Sequence, residues 1–337
     1  MTYEEVKENA KKNIGPKCKV CPECNGLACG NILPGPGSKA PGNGAHENWK
    51  AWKSFRLNMD TIAPNTPADA SFELFGKSFS MPLITAPIGS IAAQYNPTDD
   101  VCDYNACTVA ACEAEGIACT FGSGIVPRVF PHGCELSKSH GGILIPIIDP
   151  VSMETIKNRI DLVNETRPFA AGVVIDSAGL ALLKKSDPNA GTKTVEELRE
   201  LKEYCKVPFI LKGIMTAKGA LKCMEAGADA IIVSNHGGRA QGETPATADV
   251  LPEIVDAVGG KMKIIVDGGI RTGHDIFKAL ALGADAAMIC RPILIAYYGG
   301  REEGIRAYIS KVRTELTDAM YMCGARKLSD ITRDMIR

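Results

Sequence analysis

Apolar residues fall into a regular beat from about residue 82 onward. Short apolar runs occupy residues 83–87, 117–121, 143–148, 171–175, 209–212, 230–234, 263–266 and 286–289. Amphipathic stretches of helical period separate most of them, most clearly at 151–166, 217–226, 248–258 and 273–282. Runs this short and continuously apolar suit strands buried on both faces, and intervening helices imply parallel pairing. Ala-Gly-Ala-Asp at 226–229 and Leu-Gly-Ala-Asp at 282–285 repeat one device, a glycine stop after a helix followed by a strand start. The pattern predicts a TIM (β/α)8 barrel, with an open doubly wound sheet as the alternative.

Residues 1–60 break this rhythm. They predict a helix at 3–12, then hold a cysteine cluster and a run rich in Gly, Pro and Asn over 32–48, followed by Trp49 and Trp52. So little apolar surface cannot build its own core. The chain is therefore expected to divide into a short cysteine-rich N-terminal extension, 1–60, packed on a barrel of residues 61–337.

Composition narrows the function. A barrel of this kind needs roughly 250 residues, and the chain has 337, of which 45% are hydrophobic. With 38 basic and 39 acidic residues, no strong field steers it to nucleic acid or an anionic membrane, so small molecules are the expected partners. No apolar run approaches the roughly 20 residues of a membrane span. The N-terminal Met1-Thr2-Tyr3-Glu4-Glu5 does not resemble a signal peptide, and a cytoplasmic location is expected. The 13 cysteines are odd in number and irregularly spaced, which argues against a disulfide scaffold.

Polar residues gather just past the predicted strand ends: Asp176, Lys212, Ser234-Asn235-His236 and Asp267-Gly268-Gly269. In a barrel those ends share one rim, where active sites sit. Asp267-Gly268-Gly269-Ile270-Arg271-Thr272-Gly273 follows the seventh run and opens a helix, so backbone N–H groups and the helix dipole favour an anion there. Cys290-Arg291-Pro292 after the eighth run adds a second cation at the same place. The imidazole of His236 suits a general base, and Arg239, three residues on, suits a carboxylate. Lys212 would project a charge into the mouth, against the plainer reading of a buried ion pair. Asp176 could orient His236 or simply cap a helix.

These motifs carry a resemblance. The sequences at 211–214, 234–239, 245–247, 266–273, 277–284 and 291–292 resemble the FMN-dependent 2-hydroxy acid dehydrogenase/oxidase family of glycolate oxidase, lactate oxidase and flavocytochrome b2. The likeness is close over 205–337, moderate over 80–180 and poor over 1–60. It implies FMN as cofactor and oxidation of a small (S)-2-hydroxy acid to the 2-oxo acid, with electrons passing to the flavin N5. By position, His236 would be the base, Asp176 its partner, Arg239 the substrate carboxylate clamp and Lys212 the cation beside the flavin ring. Pro87, Ile88, Gly89, Ser123 and Ser234 would line the flavin; Asp267, Gly268, Gly269, Arg271, Cys290 and Arg291 would hold its phosphate end. The family commonly forms tetramers or octamers, so a homo-oligomer is implied, with oxygen or an electron-transfer protein as final acceptor.

This sequence also departs from the family. The third predicted strand lacks the usual Gln and substrate-contacting Tyr, and the N-terminal Tyr-Tyr-Ala-Ser-Gly-Ala segment is replaced by Cys24-Asn25-Gly26-Leu27-Ala28-Cys29-Gly30. Between Asp176 and Lys212, the stretch before Arg199 offers Lys184 and Lys185 but no second substrate arginine. Such losses motivate two alternatives, a flavin enzyme of another class (a reduced-FMN isomerase or a partner-fed reductase) and a metal- or redox-sensing protein. The second rests on Cys18, Cys21, Cys24 and Cys29, whose spacing permits an iron–sulfur cluster or zinc as well as metal-free thiols.

Overall fold

The computed structural model describes residues 1–124, 126–140 and 142–337, with the backbone alone at 181 and 182. The elements run α1 (Tyr3–Asn13), α2 (Gly44–Ser54), β1 (Phe72–Leu74), β2 (Lys77–Phe79), β3 (Leu83–Thr85), α3 (Val101–Glu115), β4 (Ala118–Gly122), α4 (Val129–Ser139), β5 (Leu144–Ile148) and α5 (Met153–Thr166). They continue with β6 (Ala171–Val174), α6 (Ala181–Ser186), α7 (Val195–Tyr204), β7 (Phe209–Ile214), α8 (Ala217–Glu225), β8 (Ala230–Val233), α9 (Thr247–Val258), β9 (Lys263–Val266), α10 (Gly273–Ala281), β10 (Ala286–Ile289) and α11 (Arg291–Met322). Strands β3 to β10 pair in sequence order, and β10 closes on both β9 and β3, giving a closed barrel. Its pairings are all parallel. The TIM barrel expectation holds and the open sheet is excluded.

Each apolar run became a strand for the anticipated reason. Every residue of β4, β5, β6, β8 and β10 is buried, since one face fills the barrel interior and the other meets the helices. The hairpin β1–β2 lies at the end of the barrel where the strands begin. Phe79 packs edge-on against Phe169 just before β6, with ring centroids 5.3 Å apart.

The N-terminal residues lie against the barrel. Helix α1 packs on α11 through Tyr3 and Tyr308, ring centroids 5.0 Å apart. Its start carries a capping box between Thr2 and Glu5. The first five residues of helix α2 fall in the Gly/Pro/Asn-rich run, where the sequence pattern predicts no helix. Asn43 caps it by accepting from the His46 N–H, and Trp52 is fully buried, so tertiary burial outweighs the weak local propensity. The Trp52 indole N–H donates to Gly268 O at 2.7 Å, tying the helix to the loop after β9.

Helix α11 breaks at Arg301, whose φ is 52°. Its second half lies hard against the start of α10. A Cβ on Gly273 would stand 2.1 Å from Leu316 N and 2.3 Å from Val312 O. Gly273→Ala therefore forces backbone apart in a close-packed region; a loss on the order of 3 kcal/mol is expected, read as a lowered Tm in thermal denaturation.

Candidate active site

The C-terminal ends of the strands carry one buried ion pair and one histidine–carboxylate pair. Lys212, in β7, places Nζ 2.7 Å from Asp267 Oδ2, after β9, and 2.5 Å from the Ser234 hydroxyl, after β8. Burial alone would lower the Lys212 ammonium; the carboxylates of Asp267 and Asp176 outweigh it and hold it above its ordinary value. The second pair is His236 and Asp176, with Nδ1 3.1 Å from Oδ1. Burial would raise the Asp176 carboxyl, but His236 and then Lys212 hold it below its usual range. Asp176 approaches because β7 bulges at Gly213, where φ is +100° and a Cβ would stand 2.6 Å from the Asp176 Cβ.

The loop after β8 turns through three consecutive left-handed residues: His236 at φ 58°, Gly237 at 64° and Gly238 at 78°. A non-glycine residue rarely holds that conformation. Here the His236 N–H donates to Ser234 Oγ at 3.0 Å, fixing the strained backbone. The glycines are required by space as well. A Cβ on Gly237 would meet Arg291 Nη1 at 2.7 Å, and one on Gly238 would meet Gly44 at 2.7 Å.

Arginines dominate the rest of the mouth, and the N-terminal strap supplies their partners. Arg239 Nη1 donates to Gly35 O at 2.5 Å and Gly37 O at 3.3 Å. Arg291 donates to Pro36 O at 2.7 Å, Gly37 O at 3.0 Å and Gly237 O at 3.1 Å. Arg271 donates through Nε to Cys24 O at 2.7 Å and through Nη1 to Ile270 O at 2.8 Å, while its Nη2 is buried without a partner. Burial, and next the neighbouring Arg291, lower the Arg239 guanidinium. Asn48 of α2 and Asn235 exchange side-chain hydrogen bonds of 2.7 and 3.0 Å, locking the strap to the loop after β8.

Two adjoining cavities open here. One, of about 100 Å³, is lined by Pro87, Ile88, Gly89, Lys212, His236, Arg239, Asp267, Gly268, Gly269, Arg271, Cys290 and Arg291. The other, of about 600 Å³, shares Pro87, Gly89, His236 and Arg239 and adds Asp149 and Lys185. Ser123 and Ser234 line neither. Ser123 gives its hydroxyl to Asp149, and Ser234 accepts from Lys212 and from the His236 backbone. Asp176 stands behind His236, reaching the mouth through it.

Sequence reasoning missed Asn48 and Asp149. Nothing local marks Asn48, because its partner lies 187 positions away. Asp149 directly follows β5, so the rule that selected Asp176 and Asp267 applied to it equally.

The cysteine expectation needs correction. Cys18, Cys21, Cys24 and Cys29 line a common cavity of about 30 Å³ with Tyr95 and Arg291. Among the described residues, however, no group of three or more His, Cys, Asp or Glu side chains is arranged to hold a metal ion. Burial pushes the Cys18 thiol up to about 11 and raises Cys21 and Cys29, so they stand protonated as metal-free thiols. Cys29 Sγ instead donates to Pro36 O at 3.8 Å. An iron–sulfur cluster or zinc has no support here.

Similar proteins agree with the geometry. Matched segments cover 44% of this chain and 40% of a peroxisomal (S)-2-hydroxy-acid oxidase of Oryza sativa subsp. japonica at 44% identity. They cover 54% of this chain and 48% of an Arabidopsis thaliana (S)-2-hydroxyacid oxidase at 40% identity. The chain thus spans less than half the length of these plant relatives. A match to 2-hydroxyacid oxidase 2 of Bos taurus is longer, at 30% identity over 86% of this chain and 89% of that protein. The crystal structure of a mandelate oxidase superposes with a TM-score of 0.80 at 22% identity, covering 100% of this chain and 97% of that one, which speaks to the fold. The model of the FMN-dependent dehydrogenase family matches residues 37–125 and 162–337. The match begins inside the segment whose likeness looked poor, and it leaves out Cys24–Gly30 and the third barrel strand. With most of the chain matched and the barrel closed as in its relatives, this protein belongs to the FMN-dependent dehydrogenase family.

Proposed function

We propose that this protein oxidises a small (S)-2-hydroxy acid to its 2-oxo acid with FMN as the immediate electron acceptor. The observation that carries the reading is the Asp176–His236 pair standing on the same mouth as Lys212 and Arg239. A cytoplasmic homo-oligomer is part of the same proposal.

The residues fit a flavin mononucleotide. Arg271 has a buried, unpartnered Nη2, and among the described residues Arg239, Arg271 and Arg291 are held by carbonyls and pair with no carboxylate. That excess of positive charge suits a phosphate at one end and a substrate carboxylate at the other. Arg271, Arg291 and the backbone of Gly268 and Gly269 would hold the phosphate, and Pro87, Ile88 and Gly89 would flank the ring. Bound FMN supplies the electron-pair acceptor for the substrate's C2–H.

The protein's own groups would do the rest. Arg239 fixes the carboxylate and so aims C2. The free Nε2 of His236 takes the C2 hydroxyl proton while Nδ1 donates to Asp176, which holds the tautomer and neutralises the imidazolium that forms. Lys212, kept charged by Asp267, lends positive charge to the reduced ring.

Anaerobic stopped-flow absorbance with a panel of 2-hydroxy acids tests the reading. Bleaching of the visible flavin band supports it, and readmission of air separates oxygen from an electron-transfer protein as final acceptor. No bleaching by any acid would sink it. Asp176→Asn should lower the bleaching rate at least about a hundredfold, with flavin content unchanged. Arg271→Gln should weaken flavin retention about tenfold or more, measured by release into ultrafiltrate.

The pH response follows from Lys212. Its folded value lies above the unfolded one, so its contribution to stability is complete below about pH 10 and is lost as pH rises through the folded value. Asp267→Asn removes the main carboxylate opposing burial and so lowers the Lys212 value. The alkaline fall in the bleaching rate should then move to lower pH in a rate–pH series.

A further inference from the structure

Asp149 is a carboxylate in the larger mouth cavity that the reaction above does not use. It follows β5, within the stretch 126–161 that lies between the two segments matching the family. The cavity it lines also holds His236, Arg239, Ile147, Val174 and Leu180. β5 and β8 are three strands apart around the ring, so Asp149 and Arg239 face this space from well-separated sides.

Its carboxylate is held in place. Oδ2 accepts from Ser123 Oγ at 2.8 Å, Oδ1 shares the single Ser177 hydroxyl proton (3.0 Å) with Val174 O (2.8 Å), and the Asp149 N–H donates to Ser123 Oγ at 2.9 Å. Ser123 and Ser177 are themselves buried. Among the described residues no cation comes within ion-pair distance of Asp149. Arg159 feels its charge, but that guanidinium sits 5.6 Å from the Phe130 ring centroid and leaves Nη1 buried without a partner. Each carboxylate oxygen keeps acceptor capacity beyond its one serine. An aligned acceptor in a largely apolar cleft is costly to leave unfilled when substrate closes the site.

We infer that Asp149 selects the substrate's side chain: it accepts a hydrogen bond from a donor carried beyond C2 while Arg239 holds the carboxylate. The preferred substrates are then 2-hydroxy acids with a hydroxyl or ammonium on C3 or further out. A plain methyl, as in lactate, leaves Asp149 unsatisfied. This rests on the proposed function and names its substrate class.

The test compares kcat/KM of the holoenzyme for L-glycerate and 3-amino-2-hydroxypropanoate with that for L-lactate, which lacks only their terminal donor group. Wild type should favour the donor-bearing acids by about tenfold or more. Asp149→Asn should shrink that ratio toward one, and Ser177→Ala, which frees one oxygen to swing, should shrink it partly. Calorimetric titration of the holoenzyme with hydroxypyruvate and with pyruvate should give the same order of affinities. Equal loss for all three substrates with a lowered Tm would assign Asp149 to balancing Arg159 and overturn the inference, as would a wild-type ratio of one or less. Robust lactate oxidation with no preference leaves the proposed function standing and removes only this selectivity. Failure of every acid, lactate included, removes both.

Discussion

Buried positive charge is the constraint on which the rest of this structure depends. Lys212, Arg271 and Arg291 are buried at one end of the barrel and Arg239 lies beside them, yet among the described residues only the Lys212 side chain meets a carboxylate. An unpaired buried guanidinium costs several kcal/mol unless its donors are met. The N-terminal strap meets them with the carbonyls of Cys24, Gly35, Pro36 and Gly37. A carbonyl satisfies an N–H without cancelling its charge. The mouth therefore stays folded and keeps an attractive field for anions, whereas aspartates in the same places would have neutralised it.

That arrangement explains the composition of the strap. Its carbonyls reach the guanidiniums only if the backbone itself comes close, and side chains stand in the way. A Cβ on Gly37 would lie 2.3 Å from Gly30 O, and one on Gly26 would lie 2.9 Å from His46 N. On the barrel side, a Cβ on Gly269 would lie 2.4 Å from Asn48 O. Glycines that first suggest a phosphate cradle thus also serve as the seat for α2. Trp52 and the Asn48–Asn235 pair then hold strap and barrel in one register.

The C-terminal rim of the barrel holds two pairs of different character. Lys212 is clamped by Asp267 and stays cationic, while His236 has a single carboxylate behind it and an open nitrogen in front. Asp176 accepts from His236 and also feels the Lys212 ammonium, so the two pairs are electrostatically joined through it. Gly213 makes this possible, since any side chain at the β7 bulge would push Asp176 away.

Local chemistry placed the strands, and closure of the sheet into a barrel was decided by the tertiary structure. Continuous apolar runs suit strands buried on two faces, and glycine stops set the period, so β3 to β10 appeared within about two residues of their expected places. The rim residues Asp176, Lys212, His236 and Asp267 were legible too, because parallel strands deliver their ends to one side. Tertiary structure decided what depends on distant partners. It made a helix, α2, where the sequence pattern predicts none, since the free energy comes from burying Trp52 against the loop after β9. It gave the arginines carbonyl partners from residues 24–37, and it left the cysteines as thiols in a small cavity rather than ligands around a metal. Periodicity is a property of neighbours along the chain and survives in the sequence; which carbonyl meets which guanidinium is fixed only when segments some 200 residues apart are packed together.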